Sequence, residues 1–377
     1  MRKKILIAVV AVFLLTQIPF ACRRYKLRKL NAAVQQVNAE LARIPKPPYR
    51  FEYKGVIHVH SFLGGHSSGT FSEIISAAQK NQLDFVIMTE HTEKDFDTAA
   101  MTLQGIHGGV LFVNGNETSA ENGDRFLKLP QDVSIVAYPE EFKNWEAPSL
   151  NGVEVYNVYS NTRRANPIVA FFDVLWSHRA YPDLLFGLYF ERPNESLKKW
   201  DQALTRSKLT ALGGNDAHSN IGVSLHDSAG KTLAGIQLDP YETSFRLVRL
   251  HVITTDAKVL TQEDLLSALR SGHCFIGFDL FGDSSGFKFE AKTPTKTIIQ
   301  GDEIPLENDT RLLVQTPTAS RILLFKDGNI ILNESGVTTK EIPITERGVY
   351  RVEVYLPEIE RIIGEKPWII SNPIYIR

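Results

Sequence analysis

The chain has 377 residues, of which 43% are hydrophobic and 23% are charged, so it can bury a folded core and is not a disordered chain. Its two cysteines, Cys22 and Cys274, exclude a disulfide scaffold and a cysteine-based zinc site. Eleven of the 42 Lys and Arg residues lie within the first 50 positions against one acid, so the remainder carries 31 basic and 42 acidic residues. Such an acidic body does not favour nucleic-acid binding, which needs clustered cations, and it suits a protein that holds metal ions.

Basic residues flank an apolar run at the N-terminus. Three cations at positions 2–4 precede an uncharged run over 5–21, which would be roughly 25 Å long as a helix. The pattern predicts a membrane anchor over residues 1–22, with signal-peptide cleavage or lipidation at Cys22 as the alternatives. We expect the part of the chain that follows this anchor to lie on the extracytoplasmic side, although cations on both flanks leave the orientation open.

A helical stalk is predicted over residues 23–50. Its apolar residues are three and four apart, as in a short heptad seam: Leu27, Leu30, Val34, Val37, Leu41 and Ile44. The seam indicates either a helix that packs on the body of the protein or a weak dimer contact. Three prolines end the helix: Pro45, Pro47 and Pro48.

From residue 51 to about residue 285, apolar strands alternate with helical stretches. The predicted strands cover 55–60, 83–91, 109–117, 133–141, 152–157 and 209–218. Thr70 and Glu73 have the spacing of a capping box, which predicts a helix that runs to about Asn81. This alternation is typical of an α/β domain with a mainly parallel sheet.

The last ninety residues, 286–377, show short strands separated by turns. A strand is predicted over 310–317 and a hairpin over 321–335 with its turn at Asp327-Gly328-Asn329, and Tyr350 is placed as in a tyrosine corner. The pattern predicts a small immunoglobulin-like β-sandwich that acts as a structural cap, with a substrate-binding module as the alternative.

Ionisable side chains stand at the ends of the body strands. They are His58, His60, His66, His91, Glu117, Asp216 and His218. Because active sites of α/β sheets and barrels lie at the C-terminal ends of the strands, we expect these side chains to converge. Imidazoles and carboxylates without thiolates suit zinc, manganese or iron, and seven potential ligands predict two or three ions with a bridging carboxylate.

The order of these motifs resembles a known family. The motifs are His58-x-His60, His66, Thr89-Glu90-His91, Gly115-Asn116-Glu117, Gly152–Asn157 and Gly214–His218. Over residues 51–280 the set resembles the polymerase and histidinol phosphatase (PHP) superfamily. The resemblance implies a distorted (β/α)7 barrel with a di- or trinuclear metal centre that hydrolyses phosphate esters.

The resemblance also implies roles for individual residues. One ion would be held by His58, His60, Glu117 and Asp216. A second would be held by His91 and Glu117, while His66 and His218 would hold a third or face the phosphate. Tyr138 stands where the family commonly has a histidine. Because a tyrosine is a poor ligand for a divalent ion, the resemblance supports at least two ions and does not extend to a third.

The function predicted from the sequence is metal-dependent hydrolysis of a phosphate mono- or diester on a small molecule. A hydroxide that bridges the ions would attack phosphorus, with His218 and Asp216 as catalytic residues and His218 or His66 as the proton donor to the leaving oxygen. Arg163, Arg164 and Arg179 are candidates for binding the phosphate.

Other functions stay open. The same site could hydrolyse a carboxyl or carbamate ester, or the protein could be a metal-containing binding module without activity. A Gly-x-Ser-x-Gly motif over 65–69 suggests a serine nucleophile, but Ser67 stands too far from the preceding strand for a sharp elbow. The oligomeric state is not predicted.

Overall fold

The structure is a computed structural model that describes residues 2–44, 51–146, 149–226, 232–254 and 259–377. Its helices are α1 (Arg2–Leu41), α2 (Phe71–Lys80), α3 (Thr98–Met101), α4 (Val158–Arg163), α5 (Pro167–Ser177), α6 (Leu184–Gly187), α7 (Asn194–Leu204), α8 (Tyr241–Leu247), α9 (Gln262–Ser271) and α10 (Pro357–Ile363). The strands up to residue 214 are β1 (Phe51–Val59), β2 (Phe85–Met88), β3 (Glu90–His91), β4 (Gly105–His107), β5 (Val110–Val113), β6 (Asn116–Ser119), β7 (Arg125–Leu129), β8 (Val133–Ala137), β9 (Gly152–Asn157) and β10 (Thr210–Gly214).

The later strands are β11 (Gly222–His226), β12 (Thr232–Gln237), β13 (Arg249–Thr254), β14 (Cys274–Gly277), β15 (Lys288–Lys292), β16 (Thr297–Ile299), β17 (Glu303–Ile304), β18 (Arg311–Lys326), β19 (Asn329–Pro343), β20 (Gly348–Tyr355), β21 (Ile369–Ser371) and β22 (Ile374–Ile376). The prediction of a mixed α/β protein is confirmed.

Strands β1, β2 and β5 belong to one sheet and β3 and β6 to β10 to a second, and the two sheets continue one another as a ring because β2 runs on into β3 and β5 runs on into β6. Parallel pairing joins β1 to β2, β2 to β5 and β3 to β6, and it also joins β8 to β9 and β9 to β10. The strand β7, which the sequence analysis did not predict, pairs antiparallel with β6 and β8. The ring closes where the backbone N–H groups of Asn215 and Ala217 donate to the carbonyls of Ile57 and His58. The ends of strands far apart in the sequence therefore meet at one edge.

The helix predicted from the capping box begins where expected. Thr70 accepts a hydrogen bond from the backbone N–H of Glu73, whose carboxylate accepts one from the backbone N–H of Thr70. α2 then buries Ile74, Ala77 and Ala78 under the ring. Its amphipathic face fixes the connection between the first two strands of the site.

The predicted anchor and stalk form the single helix α1. Its N-terminal part is apolar and exposed, and α1 is long and apolar enough to be a membrane anchor or a signal sequence. Its C-terminal part buries Leu27, Leu30 and Val37 in the main core, so packing on the body, one of the two interpretations of the heptad seam, is confirmed. The prolines predicted to end the stalk lie outside the described residues.

The C-terminal strands extend the sheet of the body. β14 pairs with β21, which pairs with β20, and β20 pairs with β18. The predicted hairpin is present as β18 and β19, and the Tyr350 hydroxyl donates to the Glu346 carbonyl at 2.7 Å, as in a tyrosine corner. The sheet therefore runs without interruption across the boundary predicted at residue 286, and an immunoglobulin-like sandwich stays a prediction.

Candidate metal centre

A bulge at the end of β1 positions the first two histidines. The pairing of β1 with β2 shifts register between Ile57 and Val59, and His58 between them has a φ of +67°. This left-handed backbone is uncommon for a residue other than glycine and is held here by hydrogen bonds from the strand on each side. The rings of His58 and His60 lie 5.1 Å apart in the buried end of the ring.

A first group of ligand atoms combines β1 with two carboxylates. Nε2 of His58 lies 3.4 Å from Glu117 Oε2 and 3.5 Å from Asp216 Oδ1. Nε2 of His60 lies 3.6 Å from the same Glu117 oxygen and 3.5 Å from the same Asp216 oxygen. Four side chains from three separate segments thus point at one position, and the sequence analysis predicted all four.

The atoms of this group fit a bound cation better than a hydrogen-bond network. Both ring nitrogens of His60 and Oδ1 of Asp216 are buried and have no hydrogen-bond partner among the described residues. Buried polar atoms are ordinarily paired, because an unpaired one costs about 1–3 kcal/mol. Ligands about 2.0–2.1 Å from a tetrahedral ion stand about 3.4 Å apart, which matches the separations of 3.4–3.6 Å here.

A second group lies beside the first. His60, His91 and His218 each offer a ligand atom within 4.8 Å of the others. His91 Nδ1 also lies 3.4 Å from Glu117 Oε2, so Glu117 faces both groups. The Nδ1 of His218 lies 3.0 Å from the carbonyl of Asp216, which leaves Nε2 facing His91 at 3.4 Å. His66 is exposed at the edge, with its ring 4.9 Å from that of His91.

The ligand side chains are held by further polar residues, whose individual contacts the sequence analysis did not predict. Glu154 Oε1 lies 2.6 Å from His58 Nδ1, so Nδ1 carries the proton and Nε2 is left for a ligand bond. The Tyr138 hydroxyl donates to Asp216 Oδ2 at 2.8 Å, and the Asn157 amide donates to Asp216 and Glu154. Tyr138 therefore orients a carboxylate of the first group of ligand atoms.

Burial and neighbouring charge set the ionisation of the ligand groups. Burial and the adjacent imidazoles lower the pKa of His60 to about 3, which keeps its ring neutral. Burial opposes the ionisation of Glu117, but its hydrogen bond to His58 and the imidazole charges lower its pKa to about 2. The pKa of Asp216 is likewise held well below its usual range by His58 and His60, despite burial. Burial opposes the charged form of His58, but Glu154, Asp216 and Glu117 raise its pKa well above its usual value. Because neutral imidazole and ionised carboxylate are the forms that bind metal ions, an ion at Nε2 of His58 would displace a proton.

A cleft of about 720 Å³ opens over the second group. Its walls include three arginines, Arg125, Arg163 and Arg164, together with Tyr159. Arg125 lies on β7, 3.6 Å from Glu117 Oε1, with its guanidinium 4.9 Å from the centre of the Tyr138 ring. Two-residue alternation on β7 places Arg125 on the same face as Leu127, which pairs with Glu117, so the sequence held a signal for it.

The structure brings together most of the predicted site residues, though not every one. His58, His60, His91, Glu117, Asp216 and His218 converge, His66 lies at the cleft edge, and Arg164 lines the cleft. Arg179 is exposed in the connection after α5 and is not among the residues that line the cleft. Ser67 donates its hydroxyl to the His218 carbonyl and contacts the Tyr241 hydroxyl, so its hydrogen bonds within the described residues do not include one to an imidazole that could act as general base.

A third acidic cluster lies away from the cleft, around His251. Its imidazole lies between Glu52 at 2.8 Å and Asp279 at 3.2 Å, and Asp279 also faces Arg249. Burial disfavours the charged imidazole, but the carboxylates outweigh it and raise the pKa of His251 to about 9. Protein cations thus balance these carboxylates, which indicates a buried ion-pair network rather than a metal site.

Comparison with known proteins adds no relative: no family model matches the sequence, and no curated protein matches it significantly.

Proposed function

We propose that the protein is a metal-dependent phosphoesterase that hydrolyses phosphate mono- or diesters. The observation that supports this most directly is the convergence of His58, His60, Glu117 and Asp216 on one buried position. There, both ring nitrogens of His60 and Oδ1 of Asp216 have no hydrogen-bond partner in the described part of the chain. Buried His and carboxylate groups of this kind fit one or more divalent ions, and two or three ions of zinc, manganese or iron is the finer proposal.

The proposed fold is the distorted (β/α)7 barrel of the PHP superfamily. The closed ring of strands supports it, since the ring brings residues 58 to 218 to one edge in the order that the motifs imply. The antiparallel strand β7 is a local departure from a simple (β/α) repeat. The C-terminal strands, with the tyrosine corner at Tyr350, are proposed to be an immunoglobulin-like cap.

Different residues of the chain have different roles in the proposed reaction. Divalent ions held by the two groups of ligand atoms would lower the pKa of a coordinated water and stabilise charge on phosphoryl oxygens. Glu154 fixes the tautomer of His58, and Tyr138 fixes the orientation of Asp216. His66, exposed at the cleft edge, is free to give a proton to the leaving oxygen, because His218 belongs to the second ligand group.

The cleft favours a phosphate ester over a carboxyl ester. Arg125, Arg163 and Arg164 all line this cleft. Planar guanidinium groups bind phosphate oxygens through paired hydrogen bonds. A neutral carboxyl ester offers no charge for these groups to bind, so the arginines would serve no purpose in binding it.

The test compares metal content and hydrolysis in the full-length protein, purified without chelator, and in His58→Ala and Asp216→Ala. We expect bound metal in the parent, loss of metal in both variants, and hydrolysis of p-nitrophenyl phosphate or its bis-ester reduced at least about 100-fold. Glu141→Gln, an exposed cleft-lining position outside both ligand groups, is the control and retains both properties.

Three outcomes would contradict the proposal. Unchanged metal content in both variants would show that His58 and Asp216 do not bind the metal. Tight metal binding with turnover of p-nitrophenyl acetate alone would assign the site to acyl esters, and metal binding with no turnover of any ester would make it a binding module.

A further inference from the structure

Helix α5 exposes an apolar face. Ile168, Phe171 and Leu175 are 66%, 62% and 67% exposed, and their spacing of three and four residues places them on one side of the helix. The opposite side is anchored, since Asp173 and Ser177 are buried. Three large apolar side chains on one exposed face are an unusual surface for a soluble protein and mark an interaction site.

Residues on the flank and the buried side of α5 attach it to α1 where the apolar run of that helix ends. Phe172 stacks on Phe20 with ring centres 4.6 Å apart, and the indole of Trp176 donates to Gln17 at 3.1 Å. Arg23 binds both carboxylate oxygens of Asp173 at 2.6–2.9 Å. If α1 is a membrane anchor, these contacts place α5 at the membrane surface.

The composition around this junction is typical of the interface between lipid and water. Arg23 and Arg24 follow the apolar run, and their guanidinium groups lie over the rings of Tyr189 and Tyr181. Arg24 also donates to the Trp176 carbonyl. Aromatic and basic side chains concentrate at this depth in membrane proteins, and an apolar helix face beside them inserts among lipid headgroups.

The same helix adjoins the cleft. Arg163 ends α4, Arg164 follows it, and both line the cleft, while α5 begins at Pro167. Three residues span at most about 11 Å, so the start of α5 lies close to the arginine wall. The apolar face of α5 therefore connects the membrane contact of α1 to the side of the cleft that would bind phosphate.

We propose that α5 lies in the membrane surface and that the cleft acts on a phosphate ester carried by a membrane lipid. The inference rests on the proposed phosphoesterase function and on α1 as an anchor. In the reaction, water forms a new bond to phosphorus, the bond from phosphorus to the lipid alcohol oxygen breaks, and that oxygen takes a proton. The lipid alcohol stays in the bilayer and phosphate leaves in water.

The membrane contact is tested without any activity. In a Cys22→Ser background, Ile168→Cys is labelled with an environment-sensitive fluorophore, because the remaining native cysteine, Cys274, is buried. The full-length protein is reconstituted into phosphatidylcholine and phosphatidylglycerol vesicles. We expect a blue shift and quenching by brominated lipid at position 168, and neither at the control Ile106→Cys, which is 62% exposed on β4.

The substrate class is tested with two phosphate monoesters of a primary glycerol hydroxyl, one carried by a lipid and one soluble. Phosphatidic acid in vesicles and glycerol 3-phosphate in solution are compared, and kcat/KM is expected to be at least about 10-fold higher for the lipid. Ile168→Ser with Leu175→Ser should reduce hydrolysis of the lipid at least about fivefold and leave p-nitrophenyl phosphate unaffected. The matched control is Ile106→Ser with Ile330→Ser, which removes exposed apolar groups elsewhere.

Each outcome separates this inference from the proposed function. A label at 168 that stays in water overturns the membrane contact, as does a blue shift that appears only with dimer formation in the absence of lipid. A lipid-embedded label with equal turnover of both esters, or turnover of the soluble ester alone, overturns the lipid substrate. No turnover of any phosphate ester is a failure of the proposed function, and the lipid substrate falls with it.

Discussion

Single residues in the candidate site were predictable where the chemistry is local. His58, His60, His91, Glu117, Asp216 and His218 each stand next to an apolar strand, and the structure brings them together. Their orienting partners were not predictable, because the contact from Glu154 to His58 joins positions 96 residues apart and the contact from Tyr138 to Asp216 joins positions 78 apart. Among the arginines, Arg164 was predicted and lines the cleft, Arg179 was predicted and is not among the residues that line it, and Arg125 was missed because β7 was not predicted.

The imidazole of His251 gives a residue-level prediction for stability. Its pKa is about 9 in the folded protein against about 6.5 in the unfolded chain, so its contribution is complete below pH 6.5 and is lost as the pH rises through 9. Urea unfolding should show a loss of about 3 kcal/mol between pH 6 and pH 10 that is absent in His251→Gln.

The control for this prediction is His107→Gln, which replaces an imidazole that lies at the edge strand β4, away from the network. It should keep the pH dependence of the parent. Equal pH dependence in His251→Gln and the parent would contradict the assignment of a charged His251.

Among the secondary-structure elements, long apolar strands and capped helices were predictable, and short or bent ones were not. β9 matches its predicted range, and α2 begins at its capping box. β7 is five residues long and alternates only partly between buried and exposed side chains, so its pattern is weak. α1 was predicted as two segments because its composition changes, but nothing in the backbone interrupts the helix, and Pro19 is accommodated within it.

The burial of α1 gives an element-level prediction. Leu30 is fully buried in the core that α1 shares with the body, so Leu30→Ala should lower the free energy of unfolding by about 2–5 kcal/mol. Gln35→Ala, at an exposed position of the same helix, should change it by less than about 0.5 kcal/mol. Both are measured by urea unfolding in the same detergent, and equal effects would mean that α1 does not belong to the folded body.

In the whole molecule, the features that the sequence could not predict are those that depend on pairing between distant strands. The ring closes through hydrogen bonds from residues 215 and 217 to residues 57 and 58, which no local pattern indicates. The C-terminal strands were predicted as a separate unit from their turn spacing, yet β21 pairs with β14 of the body. The buried Arg351 also pairs with Asp201 of α7 and with Glu353, so the C-terminal strands and the body share polar contacts as well as a core.

The same closure is the basis of the metal centre, so anomalous diffraction from crystals grown without chelator tests the account most directly. Data collected at the absorption edges of zinc, manganese and iron should show a peak about 2.0–2.2 Å from His60 Nε2 and Asp216 Oδ1, with Glu117 and His58 completing the ligands. Crystals in which these atoms contact only water or one another, with metal supplied in the medium, would contradict it.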